Sequence, residues 1–115
     1  MKTTKLSKAL ERAIEEGWPL YWIAYRKELR LRAVTYWWEN GRERTKKLAS
    51  FEWSAMPRVL KIHFELCRRL DAREASNLAY TLDDAAWAGW TDGYLSAVPK
   101  ELAEWREEYI RRGIA

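Results

Sequence analysis

One cysteine, one histidine, three prolines and five glycines are spread over 115 residues. The lone cysteine, Cys67, excludes an intrachain disulfide framework, and a reducing compartment is the simplest fit. With so little Gly and Pro, and with 48% hydrophobic and 33% charged residues, the composition is that of a folded domain and not of a low-complexity chain. The longest apolar run, residues 20–25, is too short to cross a bilayer. The first stretch, MKTTKLSKALERAIEEG, is basic and lacks the apolar core of a secretory signal. A soluble, cytoplasmic single domain spanning 1–115 is expected, long enough to bury one core without disulfides or metal.

Catalytic signatures are scarce. There is no glycine-rich phosphate loop and no Gly-x-Ser-x-Gly. His63 and Cys67 stand four apart on a predicted helix, the spacing of a nucleophile–base pair or half a zinc site. No second Cys or His completes either, and both lie on or near an apolar face, so a core histidine beside a buried thiol is expected. Asp83-Asp84 resemble a metal pair, but acids at the start of a helix complement its dipole. Glu101, Glu104, Glu107 and Glu108 read as a solvated stripe. Neither an enzyme nor a bound cofactor or metal is expected.

What is abundant is aromatic and charged. Eight Trp and six Tyr exceed what a small core accommodates, because each carries a polar atom that needs a partner. Some rings should be exposed and act as interface anchors. Charge is segregated beneath the overall +4: residues 26–47 hold eight Lys/Arg against three Asp/Glu, and residues 71–108 hold three against nine. A basic patch on a chain of pI near 9.3 is the footprint of a polyanion partner. The plainer reading is that charge runs are solvated faces that keep a protein soluble.

Periodicity predicts a helix over 4–16, capped by Thr4 and stopped by Gly17, with Leu6, Leu10, Ala13 and Ile14 on one face. Residues 56–70 predict the central core helix. Val59, Leu60, Ile62, Phe64, Leu66, Cys67 and Leu70 surround a polar stripe of Arg58, Lys61, Glu65 and Arg68. Asp71 and Glu74 form a capping box opening a helix to about Tyr80. Thr81 and Asp84 repeat that pattern before a further helix limited by Gly89 and Gly93. A last helix is predicted over 99–112, with Val98, Leu102, Trp105 and Tyr109 inward.

Residues 19–53 admit two readings. As a helix, Pro19 opens it and Gly41 follows it, giving an all-α bundle. As strands, ELRLRA alternates, VTYWW is β-branched and aromatic, and Asn40-Gly41 makes a two-residue turn. The strand reading is favoured, because Val-Thr-Tyr-Trp-Trp loses side-chain freedom in a helix. The expected fold is α+β: an N-terminal helix, an antiparallel meander of two or three strands over about 20–52 with 20–25 as an edge strand, then three to four helices packed on one face.

The turn fixes a register in which i faces 81−i: Trp38 with Glu43, Tyr36 with Thr45, Val34 with Lys47. Leu29, Leu31, Ala33, Trp37 and Leu48 then point inward. Arg30, Arg32, Tyr36, Trp38 and Lys47 point outward, with Val34, Ala49 and Phe51 among them. Arg42 sits at the tip, with Arg44 beside it on the inner edge. Cations neutralise phosphates and rings stack on unpaired bases. The expected function is a small non-enzymatic nucleic-acid-binding or nucleoprotein-accessory module contacting DNA or RNA through Arg30, Arg32, Tyr36, Trp38, Arg42, Arg44, Lys46 and Lys47. The alternative is a compact protein-binding adaptor or inhibitor, of phage or mobile-element type, acting on a larger complex. A homodimer through the open edge at 20–25 is compatible with both.

Overall fold

A computed structural model describes residues 7–39, 42–95, and Glu104, Glu107, Glu108 and Arg111, with backbone alone at 36–39, 42 and 43. Helix α1 (Lys8–Glu16) precedes strands β1 (Leu20–Tyr25), β2 (Glu28–Glu39) and β3 (Arg42–Glu52). A short 3₁₀ turn, Trp53–Ala55, leads into helices α2 (Met56–Arg69) and α3 (Ala72–Thr91). The architecture is α+β, with an antiparallel sheet of order β1-β2-β3. The all-α alternative fails because the alternation in ELRLRA places three apolar side chains, Leu29, Leu31 and Ala33, on one face, where they are buried. Burying a leucine is worth about 1.5–3 kcal/mol, which outweighs the caps of a helical reading.

Helix α1 starts at Ser7, whose hydroxyl accepts from the Leu10 N–H at 3.3 Å. The expected cap, Thr4, lies outside the described residues. Gly17, at φ 70°, ends the helix in a Schellman motif: Trp18 N–H bonds the Ala13 carbonyl and Gly17 N–H the Ile14 carbonyl, which satisfies carbonyls the helix leaves orphaned. Helix α2 is the core helix its pattern predicts, burying Met56, Val59, Leu60, Ile62, His63, Phe64, Leu66 and Cys67.

Helix α3 departs from expectation. Asp71 does cap it, accepting from Glu74 N–H at 2.8 Å, but the helix runs unbroken through Thr81. Thr81 instead bonds inside the helix to the Leu78 carbonyl and accepts the backbone N–H of Trp22 at 2.9 Å. A helix thus covers the β1 edge at Trp22, a common protection of sheet edges. Gly89 does not end the helix either. It makes room for Trp53, since a Cβ on Gly89 would stand 2.5 Å from the Trp53 ring. Residues 98–103, 105 and 109, which carry most of the expected last helix, lie outside the described residues. Glu104, Glu107, Glu108 and Arg111 are helical, with Arg111 and Glu108 2.7 Å apart.

The β2–β3 register matches 81−i only at Glu39–Arg42. It then slips through irregularities to Tyr36–Arg44, Val34–Thr45, Arg32–Lys47, Leu31–Ala49 and Leu29–Phe51. Leu48 is the extra residue between Lys47 and Ala49, the hallmark of a bulge. A shift of one residue exchanges the faces of a strand, so Ala49 and Phe51, expected outside, pair with inward Leu31 and Leu29. Phe51 lies 6.2 Å from the Trp22 ring, with the Arg58 guanidinium 5.8 Å from its centroid. Exchanging Gly for Ala inside a helix ordinarily gains up to about 1 kcal/mol. Here Gly89→Ala is expected to destabilise by roughly 1–2 kcal/mol through overpacking, read from urea unfolding. Trp53→Phe should absorb much of that cost in a double-mutant cycle; additive effects would refute the close approach.

Candidate nucleic-acid interface

The helices cover one face of the sheet; on the other, Val34 is buried, while the rows nearer the β1–β2 turn reach solvent at least in part. Three cross-strand rows define that outer face: Tyr21–Arg32–Lys47, Ile23–Arg30–Ser50 and Tyr25–Glu28–Glu52. Lys47, Ile23, Tyr25, Ser50 and Glu52 are exposed, and Tyr21, Glu28, Arg30 and Arg32 are half-buried. Arg32 donates to the Thr45 hydroxyl at 2.9 Å. Arg30 is more constrained. Its Nε stands 3.0 Å from the Glu28 carboxylate, which also accepts from Ser50 at 2.9 Å. The Ser50 hydroxyl and then the Arg30 guanidinium hold the Glu28 carboxyl below its ordinary range. Arg30 also lies 4.0 Å from the centre of the Tyr25 ring, with Arg26 at 5.3 Å.

Arg26 opens the two-residue turn between β1 and β2 at φ 55°, the left-handed region that hairpin turns favour there. Such a conformation costs an L-residue about 1–2 kcal/mol, and it places a cation at one end of the face.

Of the residues predicted to make contacts, Arg30, Arg32 and Lys47 share this face. Lys46 pairs with Ala33 and so, by alternation, belongs to the opposite face from Lys47, although it too is exposed. Arg44 is exposed opposite Tyr36 and alternates to the inner side. The side chains of Tyr36, Trp38 and Arg42, and the turn residues Asn40 and Gly41, lie outside the described residues. Sequence reasoning missed Tyr21, Tyr25 and Arg26. Alternation within LYWIAY, once β1 is paired with β2, is the signal that places both tyrosines among the cations.

His63 and Cys67 meet in the core. The indole N–H of Trp22 donates to His63 Nδ1 at 3.1 Å. That fixes the proton on Nε2, which points at Cys67 Sγ, 3.6 Å away. The thiol in turn points at the Ala75 carbonyl, 3.8 Å away. Burial pushes His63 down to about 3 and Cys67 up to about 12, so at neutral pH the imidazole is uncharged and the thiol protonated. Trp22, His63, Cys67 and the Ala75 carbonyl thus form a buried polar relay. Among the described residues no cluster of His, Cys, Asp and Glu could hold a metal ion, and no helix is long and apolar enough to cross a membrane. A cleft of about 250 Å³ between Trp18, Leu20, Leu70 and Arg73 is bordered by Asp71, whose carboxylate is engaged in the α3 cap. Family models, curated proteins and solved structures return no match to this chain.

The relay fixes a pH dependence. The folded-state pKa of His63 lies below the ordinary 6.5, so its contribution is complete above pH 6.5 and is lost as pH falls from 6.5 toward 3. The Cys67 value lies above 9.0, so its contribution is complete below pH 9 and is lost as pH rises toward 12. Urea midpoints between pH 7 and 4 should carry a His63 slope approaching about 1.4 kcal/mol per pH unit. His63→Gln, which keeps an acceptor and a donor without the titration, should flatten that slope; equal slopes in both chains would rule His63 out as its source.

Proposed function

We propose that the chain is a small binding module without chemistry of its own, which engages single-stranded nucleic acid through the outer face of its sheet. The observation that carries this reading is the row Tyr21–Arg32–Lys47, with Tyr25 and Arg26 at the far side of the Ile23–Arg30–Ser50 row. Cations from β2, β3 and the first turn are interleaved there with two rings from β1. Phosphate contacts fall to Arg26, Arg32 and Lys47, because Arg30 is partly neutralised by Glu28 and serves the Tyr25 ring. Stacking falls to Tyr21 and to the Arg30 guanidinium held over the Tyr25 ring, a planar cation that stacks on any base.

The second reading, a protein-binding adaptor or inhibitor, is favoured by a different surface. Helix α3 leaves Tyr80 and Trp87 exposed at 73% and 58%, with Trp90 against Trp87.

Binding of a labelled oligonucleotide, followed by anisotropy across a salt series, tests the first reading. Each phosphate contact on a single strand contributes about 0.7 to the slope of log K against log salt. Arg32→Ala with Lys47→Ala should therefore lower the slope by about 1.4 and the affinity at least tenfold. Arg30→Ala alone should do less, since its charge already has a partner. Absence of binding at low salt, or binding indifferent to the double substitution, would sink the proposal.

A further inference from the structure

We propose that the exposed aromatic face of α3 docks a segment of a partner protein rich in Arg and Lys, a proposal that rests on the adaptor reading and is independent of the sheet face. From Glu74 to Leu95 the sequence contains no Lys or Arg, four carboxylates (Glu74, Asp83, Asp84 and Asp92) and the rings of Tyr80, Trp87, Trp90 and Tyr94. The 3.6-residue period puts Tyr80, Asp84, Trp87 and Thr91 on one stripe. Tyr80, Asp84, Trp87, Trp90 and Asp92 are all exposed. Trp87 and Trp90 form a tilted pair with centroids 4.9 Å apart.

Charge complementarity selects the occupant. Elsewhere the chain sets its own guanidinium groups over rings: Arg12 over Trp18, Arg30 over Tyr25, Arg58 over Phe51. Among the described residues none stands over an α3 ring. Aromatic faces flanked by carboxylates attract cations through the ring quadrupole and the charge together. The indole is the strongest such ring, and Trp and Tyr anchor most interfaces. Tyr80 and Trp87 are seven residues apart, roughly 10.5 Å along the helix. A polyproline II segment rises about 3.1 Å per residue with three residues per turn, so Arg-x-x-Arg puts both guanidinium groups on one side at roughly the spacing of the two rings.

A labelled peptide carrying two Arg-x-x-Arg units tests this, against peptides of the same length bearing Asp or Ser at those positions. The basic peptide alone should bind. Trp87→Ala, an exposed change checked for folding by circular dichroism, should weaken it about tenfold. Asp84→Asn with Asp92→Asn should weaken it less and reduce its salt dependence. Arg32→Ala with Lys47→Ala should leave it unchanged.

Equal binding of all peptides, or indifference to Trp87→Ala, overturns the proposal. A crosslinked partner held at Trp87 by a non-basic segment overturns the basic assignment while the adaptor reading stands. Sedimentation showing a dimer that Trp87→Ala dissolves makes a second copy the occupant. Protection of Trp87 from footprinting in the isolated chain makes residues 96–115 the occupant. Either outcome overturns the proposal as well.

Discussion

Trp22 is tied to two helices at once. Its backbone N–H reaches the Thr81 hydroxyl on α3, and its indole N–H reaches His63 on α2. From His63 the polar relay continues through Cys67 to the Ala75 carbonyl on α3. The part from the indole to the Ala75 carbonyl lies within the core, where an unpaired polar group costs about 1–3 kcal/mol. A satisfied relay in such a medium therefore specifies one placement of sheet against helices far more sharply than apolar contact does. Sliding β1 by one residue would orphan the indole and the imidazole together. The side of the sheet that meets solvent, and hence the candidate interface, follows from that placement.

The elements that were legible in the sequence are those in which local and long-range preferences agree. The apolar surround of α2, the Gly17 stop, the Asp71 cap and the alternation of β2 each identify a structure that packing then retains. The misreadings occur where a distant residue decides. Thr81 and Asp84 look like a second capping box, but the Trp22 N–H occupies the hydroxyl and the helix continues. Gly89 looks like a terminator, but it is an interior position emptied for Trp53. That ring stacks at 7° on Tyr94, while its indole N–H is buried with no partner among the described residues. The space exists to seat a ring whose own satisfaction is incomplete.

The candidate site was legible only in part, for a related reason. The register that Asn40-Gly41 predicts holds at Glu39–Arg42. The bulge at Leu48 has no turn residue to announce it. It is driven by burial, which brings Phe51 in beneath Arg58 and over Trp22. The β1–β2 turn is equally silent, since Arg26-Lys27 carries none of the Gly or Asn that a left-handed φ invites. The basic–aromatic face thus exists with a different membership. Its described rings come from the edge strand, and three of its cations, Arg30, Arg32 and Lys47, are those that alternation alone identifies.

The two halves of that face differ in how far they are ordered before any ligand arrives. Around Tyr25, the Arg30 guanidinium is held by a carboxylate on one side and a ring on the other, and Glu28 is held in turn by Ser50. Such a cluster contributes little free charge but forgoes the ordering cost of about 0.5–1.5 kcal/mol per side chain that binding otherwise imposes. Around Lys47 the reverse holds: the charge is exposed and its side chain still has its rotamer entropy to lose. The strained Arg26 backbone belongs with the ordered half, because the fold spends conformational energy there to hold a cation beside a ring. A ligand that is both ring and polyanion draws on both halves, stacking where the surface is rigid and neutralising charge where it is mobile. A featureless polyanion engages only the second. That asymmetry makes an unpaired, base-exposing strand a better match to this face than a duplex whose bases are already stacked.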